Sequence, residues 1–180
     1  MPKKATVMRQ QPLSLRRKDW AIIGLLGFFI CMAYTLELYW VLFSGQLVAR
    51  ADTELLAFLF SIYGDGDSAY YDNVTAFTRG LETINIFLTQ PLNAWLIFAI
   101  LRHKAYRHAL QLTLSSYLAY SVILYFWTAH LSGYVGMRTR NFYTFLIFYT
   151  PNLSWLLGSL YMAYDSAVTI SQHFRGAALD

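Results

Sequence analysis

The sequence predicts an all-α membrane protein: a bundle of four transmembrane helices around an internal cavity, with both termini in the cytosol. Three observations predict this fold class. Four apolar segments approach the ~20 residues that a helix needs to cross the hydrocarbon core. Charged residues make up only 13% of the chain, about half of the ~25% typical of soluble domains. The basic residues cluster near the ends of the apolar segments.

The predicted spans follow from the apolar segments in chain order: residues 20–43, 77–101, 108–132 and 142–168. The first is too long for a cleavable signal peptide and lacks a small-residue cleavage site. Pro91 and Pro151 have no N–H to donate, so we expect each to kink its helix and to free the carbonyls of Phe87 and Ile147.

The orientation follows from the distribution of Lys and Arg. Ten of the 14 flank the N-terminus, the loop between spans two and three, and the C-terminus. The positive-inside rule therefore places these parts in the cytosol and the acidic loop between spans one and two on the opposite side. The chain divides into a basic N-terminus at 1–19, a transmembrane domain at 20–170 and a tail at 171–180.

The composition also excludes several classes of partner. The net charge of +4 comes from basic residues at span ends, so we expect no nucleic-acid partner. The chain has one cysteine, Cys31, which lies within the first span. It allows no intramolecular disulfide, and no histidine lies near it in sequence, so we expect no metal site.

Two glutamates lie inside the predicted spans, Glu37 in the first and Glu82 in the second. A charged carboxylate in a bilayer costs several kcal/mol, which makes such a residue a candidate for a functional site facing a cavity. The structural alternative for Glu82 is an ion pair with Arg79, one turn earlier. Glu37 has no such neighbour in sequence.

Helical spacing predicts a polar stripe on each span. The stripes are Tyr34 with Glu37; Thr78, Glu82, Asn85 and Thr89; Tyr117, Ser121, Tyr125 and Thr128; and Asn152, Trp155 and Ser159. Such residues also join membrane helices for purely structural reasons, and Asn152 could serve only a backbone group freed by Pro151. Trp155 lies too deep for an interfacial belt. Asp165 and His130, near span ends, are expected to be solvated or interfacial.

Several short strings resemble the emopamil-binding protein family, whose shared module is the EXPERA domain. The matching residues are Glu37; Tyr63 with Gly66-Asp67-Ser68; Leu81-Glu82-Thr83; Pro91-Leu92 with Trp95; Tyr106-Arg107-His108 to Leu112; Tyr120; Thr128 with His130; and Asn152 with Trp155. Their order and spacing cover about 140 residues.

The resemblance implies a four-helix protein of the endoplasmic reticulum membrane with a pocket for a flat polycyclic ligand. In the family's sterol isomerases, two glutamates and a histidine move a proton across a steroid double bond. The histidine position corresponds to Ala33 here, and Ser121 follows Tyr120 where the family has an acidic residue. These departures favour a paralogue with another substrate, or a binding protein that performs no chemistry.

We therefore predict a cofactor-independent isomerase or cyclase that transfers protons on a sterol-, terpenoid- or polyketide-like substrate. Glu37 and Glu82 are the predicted catalytic residues. The predicted substrate-binding residues are Tyr34, Asn85, Tyr117, Ser121, Asn152 and Trp155.

Two other functions stay open. One is a non-catalytic sterol, lipid or amine-ligand binding protein, and the other is a scaffold for another membrane enzyme. Besides the polycyclic small molecule, the predicted partners are membrane lipid and a second copy of the chain in a homodimer.

Overall fold

A computed structural model describes residues 15–177, which form six helices and no strand. In chain order the helices are α1 (Arg17–Phe43), α2 (Leu47–Arg50), α3 (Leu55–Gly66), α4 (Ala76–Leu101), α5 (Arg107–Leu131) and α6 (Phe142–Ala177), with a 3₁₀ turn at Ser68–Tyr70. The all-α class predicted from the sequence is thus confirmed. Most of the predicted N-terminal segment 1–19, and the end of the predicted tail, lie outside the described residues.

Three of these helices, α1, α4 and α5, are long and apolar enough to cross a membrane. They match the first three predicted spans to within a few residues. The fourth predicted span lies in α6, which is 36 residues long but is not among the three, since polar residues such as Asn152 and Ser154 interrupt its apolar run. The four-span count and the cytosolic termini remain predictions.

The region between the first two spans is helical, which corrects the prediction of an acidic loop. Its apolar run Leu55–Gly66 forms α3, which packs against α6. The close approach requires glycine at the end of α3, because a Cβ on Gly66 would lie 2.9 Å from the Thr144 carbonyl oxygen of α6. Acidic residues at both ends of the run, Asp52 and Glu54 before it and Asp65 and Asp67 at its end, favoured the loop prediction.

Both glutamate-bearing helices contain one wide turn of π-helix, Ala33–Glu37 in α1 and Asn85–Thr89 in α4, and these two turns contact each other. A π turn accommodates one extra residue and often marks a functional site. The turn in α4 ends just before Pro91, where a regular helix would carry a clash and a lost hydrogen bond. At Pro151 no break occurs, since α6 continues to Ala177.

Two buried clusters hold the helices together. One lies toward the end where α1 begins and α6 ends, and comprises Ile22, Leu26, Phe29, Leu96, Ile100, Leu114, Leu118 and Met162. The other lies toward the opposite end and comprises Trp40, Leu47, Ala57, Tyr70, Tyr125, Met137 and Phe148. The glutamates of α1 and α4 lie between the two clusters.

An ion cluster closes the first end. Asp19 of α1 pairs with Arg16 at 2.7 Å and with Arg107 of α5 at 3.3 Å, and Asp165 of α6 pairs with Arg16 at 2.9 Å and Lys18 at 3.8 Å. The Asp165 side chain is only 3% exposed. The prediction that Asp165 is solvated is therefore wrong, because Arg16 and Lys18 contact its carboxylate.

Candidate active site

A small hollow of about 70 Å³ opens between the two clusters. Its walls come from α1, α4, α5, α6 and the 3₁₀ turn. It is lined by Glu37, Tyr70, Leu81, Glu82, Asn85, Thr89, Tyr117, Leu118, Ser121, Val122, Tyr125, Asn152 and Trp155.

A second hollow, of about 310 Å³ and thus within the size range of small-molecule pockets, adjoins the first and shares five of its residues: Glu37, Tyr70, Glu82, Asn152 and Trp155. It extends toward the apolar edge formed by Met32, Leu36, Leu59 and Phe60. The two glutamates thus border both hollows.

Glu37 is the last residue of the π turn in α1, and its carboxylate is held by α4. The Asn85 side-chain amide donates a hydrogen bond to Glu37 Oε2 at 2.6 Å. Because Asn85 begins the π turn of α4, the contact joins the two irregular turns of the bundle.

Glu82 is held by the 3₁₀ turn rather than by a helix. The Tyr70 hydroxyl donates to Glu82 Oε1 at 2.6 Å. Tyr70 is itself fixed by Trp40, whose indole N–H donates to the Tyr70 carbonyl at 2.8 Å. This arrangement places a phenol against the carboxyl group and locks the loop onto α1.

The carboxyl groups of Glu37 and Glu82 are close neighbours, and neither has a cationic partner among the described residues. The alternative ion pair between Glu82 and Arg79 does not form, because the Arg79 guanidinium donates to the Ser44 hydroxyl at 3.1 Å. The donors that hold the two carboxyl groups are therefore neutral.

Trp155 and Asn152 border the pair from α6. One face of the Trp155 ring stacks on Phe29, with ring centroids 4.1 Å apart and an interplanar angle of 19°. The Asn152 amide donates to the Tyr63 hydroxyl at 3.0 Å and to the Phe148 carbonyl of its own helix at 2.8 Å. Asn152 thus serves the backbone of α6 and also fixes a tyrosine of α3.

A model of the EXPERA family, the expanded EBP superfamily, matches residues 55–166. The chain belongs to this family. The match spans α3 to α6 and includes Glu82, Asn152 and Trp155.

Curated relatives agree with this assignment. The 3-beta-hydroxysteroid-Delta(8),Delta(7)-isomerase of Cavia porcellus is 30% identical over 89% of the chain and 69% of its own length. The protoglabretal synthase of Ailanthus altissima is 31% identical over 77% of the chain and 59% of its own length. The isomeliandiol synthase of the same plant is 25% identical over 77% of the chain and 61% of its own length. The chain is thus similar to members named as isomerases and as synthases, and it spans about three fifths to two thirds of their length.

Seven of the eight site residues predicted for this EXPERA protein line the first hollow. They are Glu37, Glu82, Asn85, Tyr117, Ser121, Asn152 and Trp155. Tyr34 lies elsewhere: it is 43% exposed and its hydroxyl donates to the Ile86 carbonyl at 3.3 Å. Ala33, at the position of the family histidine, is fully buried in the helix packing.

Sequence reasoning missed three tyrosines of the site: Tyr70 and Tyr125, which line the first hollow, and Tyr63, which lines the second. Tyr125 donates to Asp67 Oδ2, and the Ala69 N–H donates to Asp67 Oδ1 at 2.9 Å. Burial raises the pKa of Asp67, against these two hydrogen bonds, which lower it. Tyr125 belonged to the polar stripe of α5, and this was the signal that could have added it to the site.

Within residues 15–177, no group of three or more His, Cys, Asp and Glu side chains is arranged to hold a metal ion. The functional groups of the site are two carboxyl groups, several phenols and amides, and one indole. These groups donate and accept protons and stabilise positive charge.

Proposed function

We propose that this EXPERA protein is a cofactor-independent membrane isomerase or cyclase that acts on a hydrophobic polycyclic substrate. The observation that carries the proposal is the pair of neighbouring carboxyl groups, Glu37 and Glu82, in a hollow whose lining, within residues 15–177, includes apolar and aromatic side chains and no Lys, Arg or His. A structural role would require a charge partner for carboxylates at this depth.

The chemistry follows from the proximity of the two groups. Two carboxylates side by side in apolar surroundings cannot both ionise without strong repulsion, so the pair holds one proton. One glutamate is then a general acid and the other a general base, at the same site and at the same pH.

In an isomerisation, the acid transfers its proton to one carbon of a substrate double bond, and the neighbouring carbon becomes a carbocation. The base removes a proton from the next carbon, whose C–H electrons form the new double bond. The proton then returns from the base to the acid between the adjacent carboxyl groups, which restores the starting state. If a hydroxyl group of the substrate attacks the cation instead, its proton goes to the base and a ring closes.

Trp155 supports this mechanism from the side of α6. Its indole borders both hollows, and a desolvated aromatic face stabilises a cation by about 2 kcal/mol. Stacking on Phe29 fixes the ring, so the stabilisation is in place before the cation forms.

The substrate class follows from the second hollow. Its outer wall consists of apolar side chains of α1 and α3, including Met32, Leu36 and Leu59. A substrate dissolved in the membrane could enter there without crossing water. The names of the relatives support a sterol or a related polycyclic compound, and a dimer of the chain stays part of the proposal.

The test is turnover in deuterated water, in microsomes of a yeast strain that lacks its own sterol Δ8–Δ7 isomerase. The panel comprises Δ8-sterols and tetracyclic terpenoid alkenes and epoxides. We expect one product whose mass shows deuterium from solvent, and no such product with Glu37→Gln or Glu82→Gln. Glu54→Gln is the matched control, because Glu54 pairs with Arg50 outside the hollow. Full turnover in both site variants would refute the proposal.

A second function, binding without catalysis, is favoured by one observation. Ala33 replaces the family histidine and Tyr34 points away from the hollow, so no third proton-handling group stands beside Glu37 on α1. Saturable binding of a sterol or of a hydrophobic amine, lost in Glu82→Gln and accompanied by no deuterated product, would support this function instead.

We also propose four spans in the endoplasmic reticulum membrane, with both termini cytosolic. The family and the apolar helices support this topology, and the contact of Arg16 with Asp165 brings the start of α1 and the last turns of α6 to the same end. Protease digestion of sealed microsomes should remove tags at both termini, whereas protection of either tag would contradict the topology.

A further inference from the structure

A row of three side-chain amides runs along α4 from the glutamate pair into the protein core: Asn85, Gln90 and Asn93. Gln90 and Asn93 are fully buried, and neither lines the hollow. Polar side chains at such positions carry a desolvation cost that leucine would not, so their hydrogen bonds need an explanation.

The π turn of α4 creates this row. In a regular α-helix, residues five apart point to different sides, whereas a π turn places them one above the other. Asn85 is the first residue of the π turn and Gln90 directly follows it. The Gln90 backbone N–H donates to the Asn85 backbone carbonyl. Their side chains also meet, since Gln90 Nε2 donates to Asn85 Oδ1 at 2.7 Å.

All hydrogen bonds in the row point in one direction. Asn93 Nδ2 donates to Gln90 Oε1 at 3.1 Å, Gln90 Nε2 donates to Asn85 Oδ1, and Asn85 Nδ2 donates to Glu37 Oε2. The row ends at Asn93 Oδ1, which is buried and has no hydrogen-bond partner in the described part of the chain. Each amide therefore donates toward the Glu37 carboxylate and accepts from the side of the core.

This direction distinguishes the two glutamates. An amide NH₂ group can only donate. The side-chain carbonyl of Asn85 already accepts a hydrogen bond from Gln90 Nε2, so the Asn85 side chain presents its NH₂ group to Glu37. Glu82 instead contacts the Tyr70 hydroxyl, which can donate to a carboxylate or accept from a protonated carboxyl group.

We propose that Gln90, supported by Asn93, is a positioning residue that fixes the Asn85 amide and thereby makes Glu37 the proton acceptor of the pair. Glu82 then holds the shared proton and is the acid. This inference rests on the proposed function for its catalytic consequence, but the protonation of the two glutamates can be measured without any substrate.

The kinetic test compares Gln90→Met with Gln111→Met. Gln111 is the matched control, because it is also buried and donates to the Met162 carbonyl but does not line the hollow. We expect Gln90→Met to lower kcat by about 10- to 100-fold with KM nearly unchanged, since the walls stay and only the orientation of a reacting group is lost. Gln111→Met should keep the kcat of the folded protein within about twofold. Equal losses in both variants would overturn the inference.

The second test uses infrared spectroscopy on the purified full chain in lipid nanodiscs, with ¹³C-labelled glutamate to identify the C=O band of a protonated carboxyl group. We expect this band to persist in Glu37→Gln and to vanish in Glu82→Gln. It should return in the double variant Gln90→Met/Glu82→Gln, because the freed Asn85 amide can turn its carbonyl toward a protonated Glu37. A band that persists in Glu82→Gln, or that fails to return in the double variant, would overturn the inference.

If Gln90→Met does not fold, Asn93→Leu replaces it. This variant removes the donor to Gln90 Oε1. The carboxyl C=O band should return in Asn93→Leu/Glu82→Gln, with lower intensity than in the Gln90→Met double variant, and no return would again overturn the inference. The expected bands in a protein that turns over no substrate would contradict the proposed function and leave the positioning role of Gln90 intact.

Discussion

Two pairs of carboxyl groups lie inside the same bundle, and their surroundings are opposite. Asp19 and Asp165, at the end where α1 begins, are both 3% exposed and share three cationic side chains. Glu37 and Glu82 lie in the hollow and contact only the neutral donors Asn85 and Tyr70 in the described structure.

This difference separates a structural use of carboxylates from a chemical one. A paired carboxylate stays in its charged form, because protonating it breaks the ion pair and leaves the buried cation without a partner, which costs several kcal/mol. It ties helices together but cannot exchange a proton readily. A carboxyl group without a cation gives little stability, and for that reason it remains free to gain and lose a proton.

The largest expected effect is a separation of activity from stability at the glutamate pair. Glu37→Gln and Glu82→Gln should each lower turnover by about 10²- to 10⁴-fold, as expected for the loss of a general acid or base. The temperature of unfolding in detergent should stay the same or rise, because a neutral amide is easier to enclose than a carboxyl group. A marked loss of stability in either variant would show that these glutamates have a structural role, as Asp19 and Asp165 do.

At the ion cluster we expect the reverse. Asp19→Asn leaves Arg107, which is 13% exposed, without its charge partner, and it should lower the free energy of unfolding by about 2 kcal/mol. Turnover by the folded protein should be unchanged. Denaturant unfolding in mixed micelles measures the loss.

The control for this variant is Asp72→Asn. Asp72 pairs with Arg138 on the surface, where both side chains are more than 40% exposed, so its loss should cost less than about 1 kcal/mol. Equal losses in free energy of unfolding would show that the buried cluster stabilises the fold no more than an exposed ion pair.

Tyr70→Phe tests the neutral donor on Glu82 and should have a smaller effect. Glu82 becomes charged as it gives its proton to the substrate, and a hydrogen bond to a charged group is worth about 1.5–3 kcal/mol. The kcat should therefore fall by about 10-fold or somewhat more, while ring packing against Trp40 preserves the fold. Steady-state kinetics measure the change. Tyr39→Phe is the control, because Tyr39 donates to Glu54 away from the hollow, and an equal loss there would contradict a specific role for Tyr70.

The smallest effect concerns Asp67, whose environment is intermediate between the two pairs: buried, without a cation, but with two hydrogen bonds. Its folded-state pKa is raised by burial. Stability from this group is therefore fully present below its unfolded pKa and is lost as pH rises through the folded pKa. As pH rises above the ordinary pKa of an aspartate, the unfolding temperature should thus fall more steeply for the wild type than for Asp67→Asn. Parallel curves would show that this carboxyl group is not linked to folding.

Much of the site was predictable because it lies on long helices with strong apolar periodicity. Glu37, Glu82, Asn85, Asn152 and Trp155 meet in one hollow, as helical spacing predicts for stripes that face one interior. The residues that were missed lie where periodicity is weak. Tyr63 belongs to a short helix between acidic residues, and Tyr70 belongs to a 3₁₀ turn.

Tyr34 shows a second limit of sequence reasoning. A helical wheel places it near the face of Glu37, but the π turn Ala33–Glu37 changes the angle between residues, and Tyr34 points toward α4 and the outside. Local irregularities of this kind depend on packing against neighbouring helices, so they do not appear in the spacing of residues.

The sequence by itself determined the all-α fold, the three helices that are long and apolar enough to cross a membrane, and the family. These depend on hydropathy, length and residue order along the chain. Only the tertiary structure decided which polar groups are partnered. Arg79 turns to Ser44 rather than to Glu82, and Asp19 and Asp165 gather cations from distant parts of the chain. Since a carboxyl group becomes structural or reactive according to the charges within a few ångströms, its role is a property of the fold and not of its position in the sequence.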